Sequence, residues 1–137
     1  MAMRIGLVAV VFALSTGTAC AQSSADLVRL SGRDMPAEHG KQQDMSFVET
    51  RRGPDASLVD VSMPSGPLTV SSAMFILKGL CSIAESRGKP YFRAVQLAHK
   101  PLRLGVTFPE EAGQQDARVT RVTDRTFSQA ECALLNF

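Results

Sequence analysis

Residues 71–90 read SSAMFILKGLCSIAESRGKP, and this stretch decides the fold. Ser71 or Ser72 can cap a helix by accepting a backbone N–H on its side-chain oxygen. Ala73 to Arg87 then has no breaker except Gly79, until Gly88 offers a left-handed stop and Pro90 forbids resumption. Ala73, Leu77, Leu80 and Ala84 follow the 3,4 spacing of one buried stripe, which Phe75, Ile76 and Ile83 widen. Lys78, Ser82, Glu85 and Ser86 form the wet side, with Met74 and Cys81 on the flank. Gly79 costs about 1 kcal/mol against alanine in a helix interior. It reads either as a close approach to another backbone or as a tolerated outer-face glycine. A helix with one apolar face needs a second layer to cover it.

That layer lies on both sides of the helix. Upstream, Ser46 to Thr50 can form a first strand, and Arg51-Arg52-Gly53-Pro54-Asp55 turns the chain. The dibasic pair reads as a solvated turn, with a processing site as the alternative. In Ser57 to Met63, Val59, Val61 and Met63 share one face while Leu58, Asp60 and Ser62 share the other, a strand pattern ended by Pro64-Ser65-Gly66-Pro67. Downstream, Tyr91 to Leu97 pairs naturally with Leu102 to Phe108 across Ala98-His99-Lys100-Pro101. Leu102, Leu104, Val106 and Phe108 face inward, and Arg103, Gly105 and Thr107 face out. In the first strand the faces are mixed, with Tyr91, Arg93, Val95 and Leu97 opposed to Phe92, Ala94 and Gln96. After the polar loop 109–116, Arg118 to Thr123 reads as a charged, β-branched edge strand.

The chain closes with a short helix. Ser128-Gln129-Ala130-Glu131 matches the S-x-x-E capping box, with Phe127 placed to staple against Cys132, and Thr126-x-x-Gln129 is an alternative start. Ala133, Leu134, Leu135 and Phe137 give it an apolar side. So short a helix does not persist alone.

The other end carries an export address. Met1 to Arg4 is a positively charged start, Ile5 to Leu14 an apolar run, and Ser15 to Ala21 a stretch of small residues. Ten apolar residues rise about 15 Å as a helix, half a bilayer core, so the segment reads as a signal peptide and not as a span. Two cuts compete. Ala19-Cys20-Ala21 fits a small-x-small site that releases Gln22. Gly17-Thr18-Ala19-Cys20 resembles the lipobox of bacterial lipoproteins, which makes Cys20 a candidate lipid attachment site, although Gly17 stands where a branched aliphatic residue is usual. Either cut leaves Cys81 and Cys132, an even pair in an oxidising compartment, and so predicts a disulfide between them.

Residues 22–44 read as a weakly ordered linker. Ser23, Ser24, Gly32, Pro36, Gly40, Gln42 and Gln43 interrupt it, leaving room for one short pairing segment around Leu27, Val28 and Leu30. The 15 Lys+Arg of the chain less Arg4 leave 14 against 13 Asp+Glu, a balance that removes the electrostatic argument for nucleic acid. Absence of Trp and a single tyrosine, Tyr91, argue against an aromatic stacking platform.

Chemistry-bearing patterns are missing. His39 and His99 read as solvated loop histidines, and no His-x-x-x-His, Cys-x-x-Cys or EF-hand array appears, so no metal or cofactor is expected. Pro64-Ser65-Gly66-Pro67 only superficially resembles a nucleophile elbow, nothing in the spacing selects Asp60 with Glu85 or Asp124 as paired carboxylates, and no Gly-rich phosphate loop exists. Arg93, Arg103, Arg118, Arg121 and Arg125 are candidates for a basic strip across neighbouring strands, with Arg93, Arg103 and Arg121 its central members. The alternative is a solvated face salt-bridged to Glu110, Glu111 and Asp124.

Gly79-Leu80-Cys81, Arg87-Gly88-x-x-Tyr91-Phe92, Leu102 to Pro109 and Ala130-Glu131-Cys132 together resemble small uncharacterised exported proteins of proteobacteria. The resemblance covers residues 57–137 and supplies no activity and no functional residues.

These readings predict a signal peptide over 1–21, a linker over 22–44, and one α+β domain over 45–137. In it an antiparallel sheet of four or five strands packs on the 72–87 helix, with the terminal helix clipped alongside by Cys81–Cys132. The expected function is that of a non-catalytic envelope protein, periplasmic or secreted or else lipid-anchored. It meets an envelope protein or surface through an exposed sheet edge. The competing class is a small hydrolase or inhibitor with a site built from loops 64–70, 98–101 and 109–117. A redox protein would need an exposed, reducible Cys81–Cys132 pair.

Overall fold

Six antiparallel strands carry the core, and the order in which the chain visits them sets which edges stay open. The structure is a computed structural model describing residues 26–37, 40–112 and 125–135. The strands are β1 (Arg29–Ser31), β2 (Ser46–Arg52), β3 (Ala56–Ser62), β4 (Tyr91–His99), β5 (Leu102–Thr107) and β6 (Thr126–Ser128). The helices are α1 (Val70–Ser86) and α2 (Gln129–Leu134). The sheet order is β1-β2-β3-β5-β4-β6, and every pairing is antiparallel. β3 and β4 therefore run parallel with β5 inserted between them, and α1 makes the crossover that such a pair requires.

The alternation of β3 is realised. Val59 and Val61 are buried, and Met63 packs on the core beside them. Phe47, Phe92, Ala94, Leu104 and Val106 join them from the neighbouring strands, and α1 supplies Phe75, Ile76, Leu77, Leu80, Ile83 and Ala84. The inner face of the sheet is thus the face α1 covers. Gly79 sits in this contact, because a Cβ built on it would stand 2.6 Å from the Phe47 ring. Of the two readings of Gly79, close approach is the one found, although the approaching group is a side chain. Ala73 is only half-buried, while Ser72, bonded to Thr69, is buried.

Several boundaries differ from expectation. The sheet has six strands instead of four or five, because both edges gain three-residue strands too short for a periodic signal. β1 is the pairing segment within the stretch expected as linker: Leu30 opposes Phe47, and Gly32 N donates to Met45 O at 2.8 Å. β6 is a strand where a helix start was the alternative, with Phe127 opposing Phe92 and its ring stacked at 5.6 Å. The α1 cap is Thr69, not Ser71 or Ser72: Thr69 Oγ1 accepts from Ser72 N at 3.1 Å. β4 continues through His99, which opposes Leu102, so Lys100 and Pro101 alone connect the hairpin instead of four residues. A bulge at Leu97, between the Gln96 and Ala98 register positions, allows the extension. Gly88 takes the left-handed conformation expected of it, at φ 62°.

At the chain's end the capping box is complete. Ser128 Oγ accepts from Glu131 N at 3.1 Å, and Glu131 accepts from Ser128 N at 3.0 Å. Cys81 on α1 and Cys132 on α2 form the predicted disulfide, with S–S 2.07 Å. Among the described residues no helix is long and apolar enough to cross a membrane. The leader, Cys20, His39, Arg118, Arg121 and the edge strand expected over 118–123 lie outside the described residues.

Candidate functional site

Two features of the hairpin β4–β5 stand out. The first is the edge of β4. β6 pairs only with Tyr91, Phe92 and Arg93. Ala94 beyond it is still covered, but Val95, Gln96, Leu97, Ala98 and His99 are all exposed. Val95 and Leu97 are 44% and 55% exposed, on the face away from α1, where they flank Gly105. A Cβ on Gly105 would meet Leu97 Cδ1 at 3.3 Å, so the glycine leaves room for that side chain.

The backbone direction along this edge can be derived. Pro90 O accepts from Gln129 N on the β6 side, and Arg93 O accepts from Thr107 on the β5 side. Successive residues in a strand alternate, so Phe92, Ala94 and Gln96 aim N–H and C=O away from β5. Gln96 is the exposed one of the three. Among the described residues no strand pairs with it there.

The second feature is a cleft of about 720 Å³ between the end of β3 and the hairpin turn. Val61, Met63, Pro64, Pro101 and Leu102 form its apolar walls, and Ser62, Ser65, His99 and Lys100 its polar ones. Here the loops expected to build a catalytic site, 64–70 and 98–101, do meet. The His99 ring Nδ1 lies 3.2 Å from the Gln96 amide nitrogen, and among the described residues it makes no hydrogen bond to Ser62 or Ser65. Among the described residues no acidic side chain lines the cleft. A Ser-His-carboxylate relay would need both of the missing links.

Of the five arginines of the expected basic strip, Arg103 and Arg125 are ion-paired, while Arg118 and Arg121 lie outside the described residues. Arg103 donates to Asp60 at 2.7 and 3.3 Å, Arg125 to Glu131, and Arg93 lines a shallow groove with Asp55 and Glu111. Hydrogen bonding to Asp60 and its charge raise the Arg103 pKa. These partners, Asp60 and Glu131, are not the Glu110, Glu111 and Asp124 weighed as the alternative, of which Asp124 lies outside the described residues. Among the described residues no three His, Cys, Asp or Glu side chains converge as a metal site.

A buried charged cluster, unforeseen in the sequence, sits at the opposite end of the sheet. Glu49 is fully buried and accepts from Arg52 Nε and Nη2 at 2.8 and 2.7 Å, Ser57 Oγ at 2.7 Å, and Val28 N at 2.9 Å. Burial alone would raise its pKa. Hydrogen bonds from Arg52, Val28 and Ser57, and the Arg52 charge, outweigh it and hold the carboxyl below its usual value. Arg87 closes the cluster, donating to Ser57 Oγ, Gly53 O and Pro54 O while its guanidinium lies 4.5 Å from the centre of the Phe108 ring. Both Glu49 oxygens are occupied, so the cluster is a structural clamp on the β2–β3 turn. It also withdraws Arg52 from the dibasic turn: that side chain is only 8% exposed, which disfavours a processing site there.

No protein-family model, curated protein or solved structure matches this chain.

Proposed function

We propose that this chain is an exported, non-catalytic binding protein of the bacterial envelope. It takes up an extended segment of a partner protein along β4 from Val95 to His99. The observation that carries the reading is the uninterrupted exposure of those five residues, with two large apolar side chains, Val95 and Leu97, among them. A strand edge left open in this way is a template for pairing, and folded proteins usually blunt such edges. Main-chain hydrogen bonds supply affinity in this mode, while side-chain pockets select the sequence. The bulge at Leu97 limits the uptake to one short strand.

Support for export comes from residues 1–21 and from the Cys81–Cys132 bond, which persists in an oxidising compartment. The resemblance to small exported proteobacterial proteins points the same way. Soluble and lipid-anchored forms differ in one mass measurement: the mature N-terminus is Gln22 in the first and diacylglyceryl-Cys20 in the second.

The test places a photo-crosslinking residue at Leu97 in the full chain, expressed in its own cells, with a control at exposed Val70. One partner should be captured at position 97 and not at 70. Gln96→Pro removes the outward N–H without touching the β4–β5 ladder, so capture should vanish in it and survive in Gln96→Ala, with both variants melting like the parent. Capture insensitive to the proline, or none at all, overturns strand uptake.

A second reading rests on His99 sharing a cleft with Ser62 and Ser65. A small hydrolase would show fluorophosphonate labelling of one of these serines that disappears in His99→Ala.

A further inference from the structure

We infer that the cleft between residues 61–66 and 99–102 binds a small amphiphilic monoanion, a carboxylate carried on an apolar body. The inference is independent of strand uptake, because it uses the end of the hairpin and its neighbour β3, not the backbone of the β4 edge. A volume of about 720 Å³ lies within the range of sites for small molecules, about 300–1,000 Å³. Val61 is buried and Met63 and Leu102 are half-buried, and with Pro64 and Pro101 they supply its apolar lining.

Among the described residues the charge of the lining has one sign. Lys100 is its formally charged residue, and His99, Ser62 and Ser65 are its other polar ones. The neighbouring acid on β3, Asp60, is engaged by Arg103 at 2.7 Å, so it does not neutralise Lys100. Among the described residues Lys100 makes no ion pair. An ammonium beside an apolar lining selects a ligand with an anionic head and an apolar body, and rejects a cation of the same shape. The walls are preformed, because Pro64 and Pro67 fix φ in the loop and Pro101 does so in the turn. Less ordering is then left to occur on binding.

The test is an amide-resolved NMR titration of the full chain with octanoate below its micelle threshold, with octan-1-ol and octylammonium as neutral and cationic counterparts. Octanoate should shift the amides of residues 61–66 and 99–102 saturably and bind tightest of the three. Lys100→Gln should weaken octanoate about fivefold, toward octanol, and Lys100→Arg should restore it. Lys100 is exposed, so these variants leave the fold intact. Equal binding of octanoate and octanol, indifference to Lys100→Gln, or shifts centred elsewhere overturns the assignment. Shifts seen only with phosphatidylglycerol vesicles also overturn it, and assign Lys100 to a membrane surface instead.

Discussion

Phe47 and Gly79 are fitted to one another: the ring of one occupies the space where a Cβ on the other would stand, 2.6 Å from three ring carbons. This contact sets how deeply α1 sinks onto β2. Gly79→Ala improves helix propensity by about 1 kcal/mol but overpacks a closed core, which costs about 1–3 kcal/mol. The net effect should be a loss of about 1 kcal/mol in urea unfolding. Phe47→Leu in the alanine background should lose less than it does in the parent. Additive losses would show that the two positions do not meet.

Glu49 should make stability depend on acid. Its folded pKa is lowered from 4.5, so its contribution is complete above that unfolded value and is lost as pH falls through the folded one. Between about pH 5 and pH 2 the urea midpoint should fall, and Glu49→Gln should flatten that limb. The same variant leaves the Arg52 charge buried without its partner, a loss of about 3 kcal/mol near neutral pH. A parallel acid limb in parent and variant would remove Glu49 as its source.

The Cys81–Cys132 bond closes a loop with a sequence separation of 51. Chain entropy assigns it about 4 kcal/mol. The Cys81→Ser, Cys132→Ser double variant should lose a comparable amount. By hydrogen exchange, α2 should open before the strands, because six residues and one capping box do not hold a helix alone. Equal protection of α2 in parent and variant would show that docking alone secures it.

Thr69→Ala should cost about 1 kcal/mol and Ser71→Ala less than half of that, since Thr69 carries the cap. Thermal melts of the two variants decide which residue starts the helix.

Periodicity made much of this fold legible. Val59 and Val61 alternate with polar neighbours, Leu104 and Val106 repeat the pattern, and α1 shows its stripe between a proline-rich turn and Gly88. The disulfide followed from an even cysteine count once the leader was read. What escaped the sequence depends on partners distant along the chain. Glu49 shares the inward face of Phe47, and its burial as a charge is intelligible only once Arg52 and Ser57 are seen on its carboxylate, with Arg87 on Ser57. β1 and β6 are three residues long, too short to alternate visibly. The helix cap moved to Thr69 because its side chain, ahead of two serines, is the one that reaches Ser72 N. The open edge and the cleft are invisible for a related reason. Strand order decides that no described strand pairs with the outer edge of β4 beyond Arg93, and only folding brings 61–66 beside 99–102.

Joined sulfurs also change what cutting the backbone accomplishes. Any single cleavage between Cys81 and Cys132 leaves two pieces that still travel as one molecule, because the crosslink spans the break. A protease cutting there would therefore produce a nicked form of unchanged mass apart from one added water, which only a reducing agent splits into fragments.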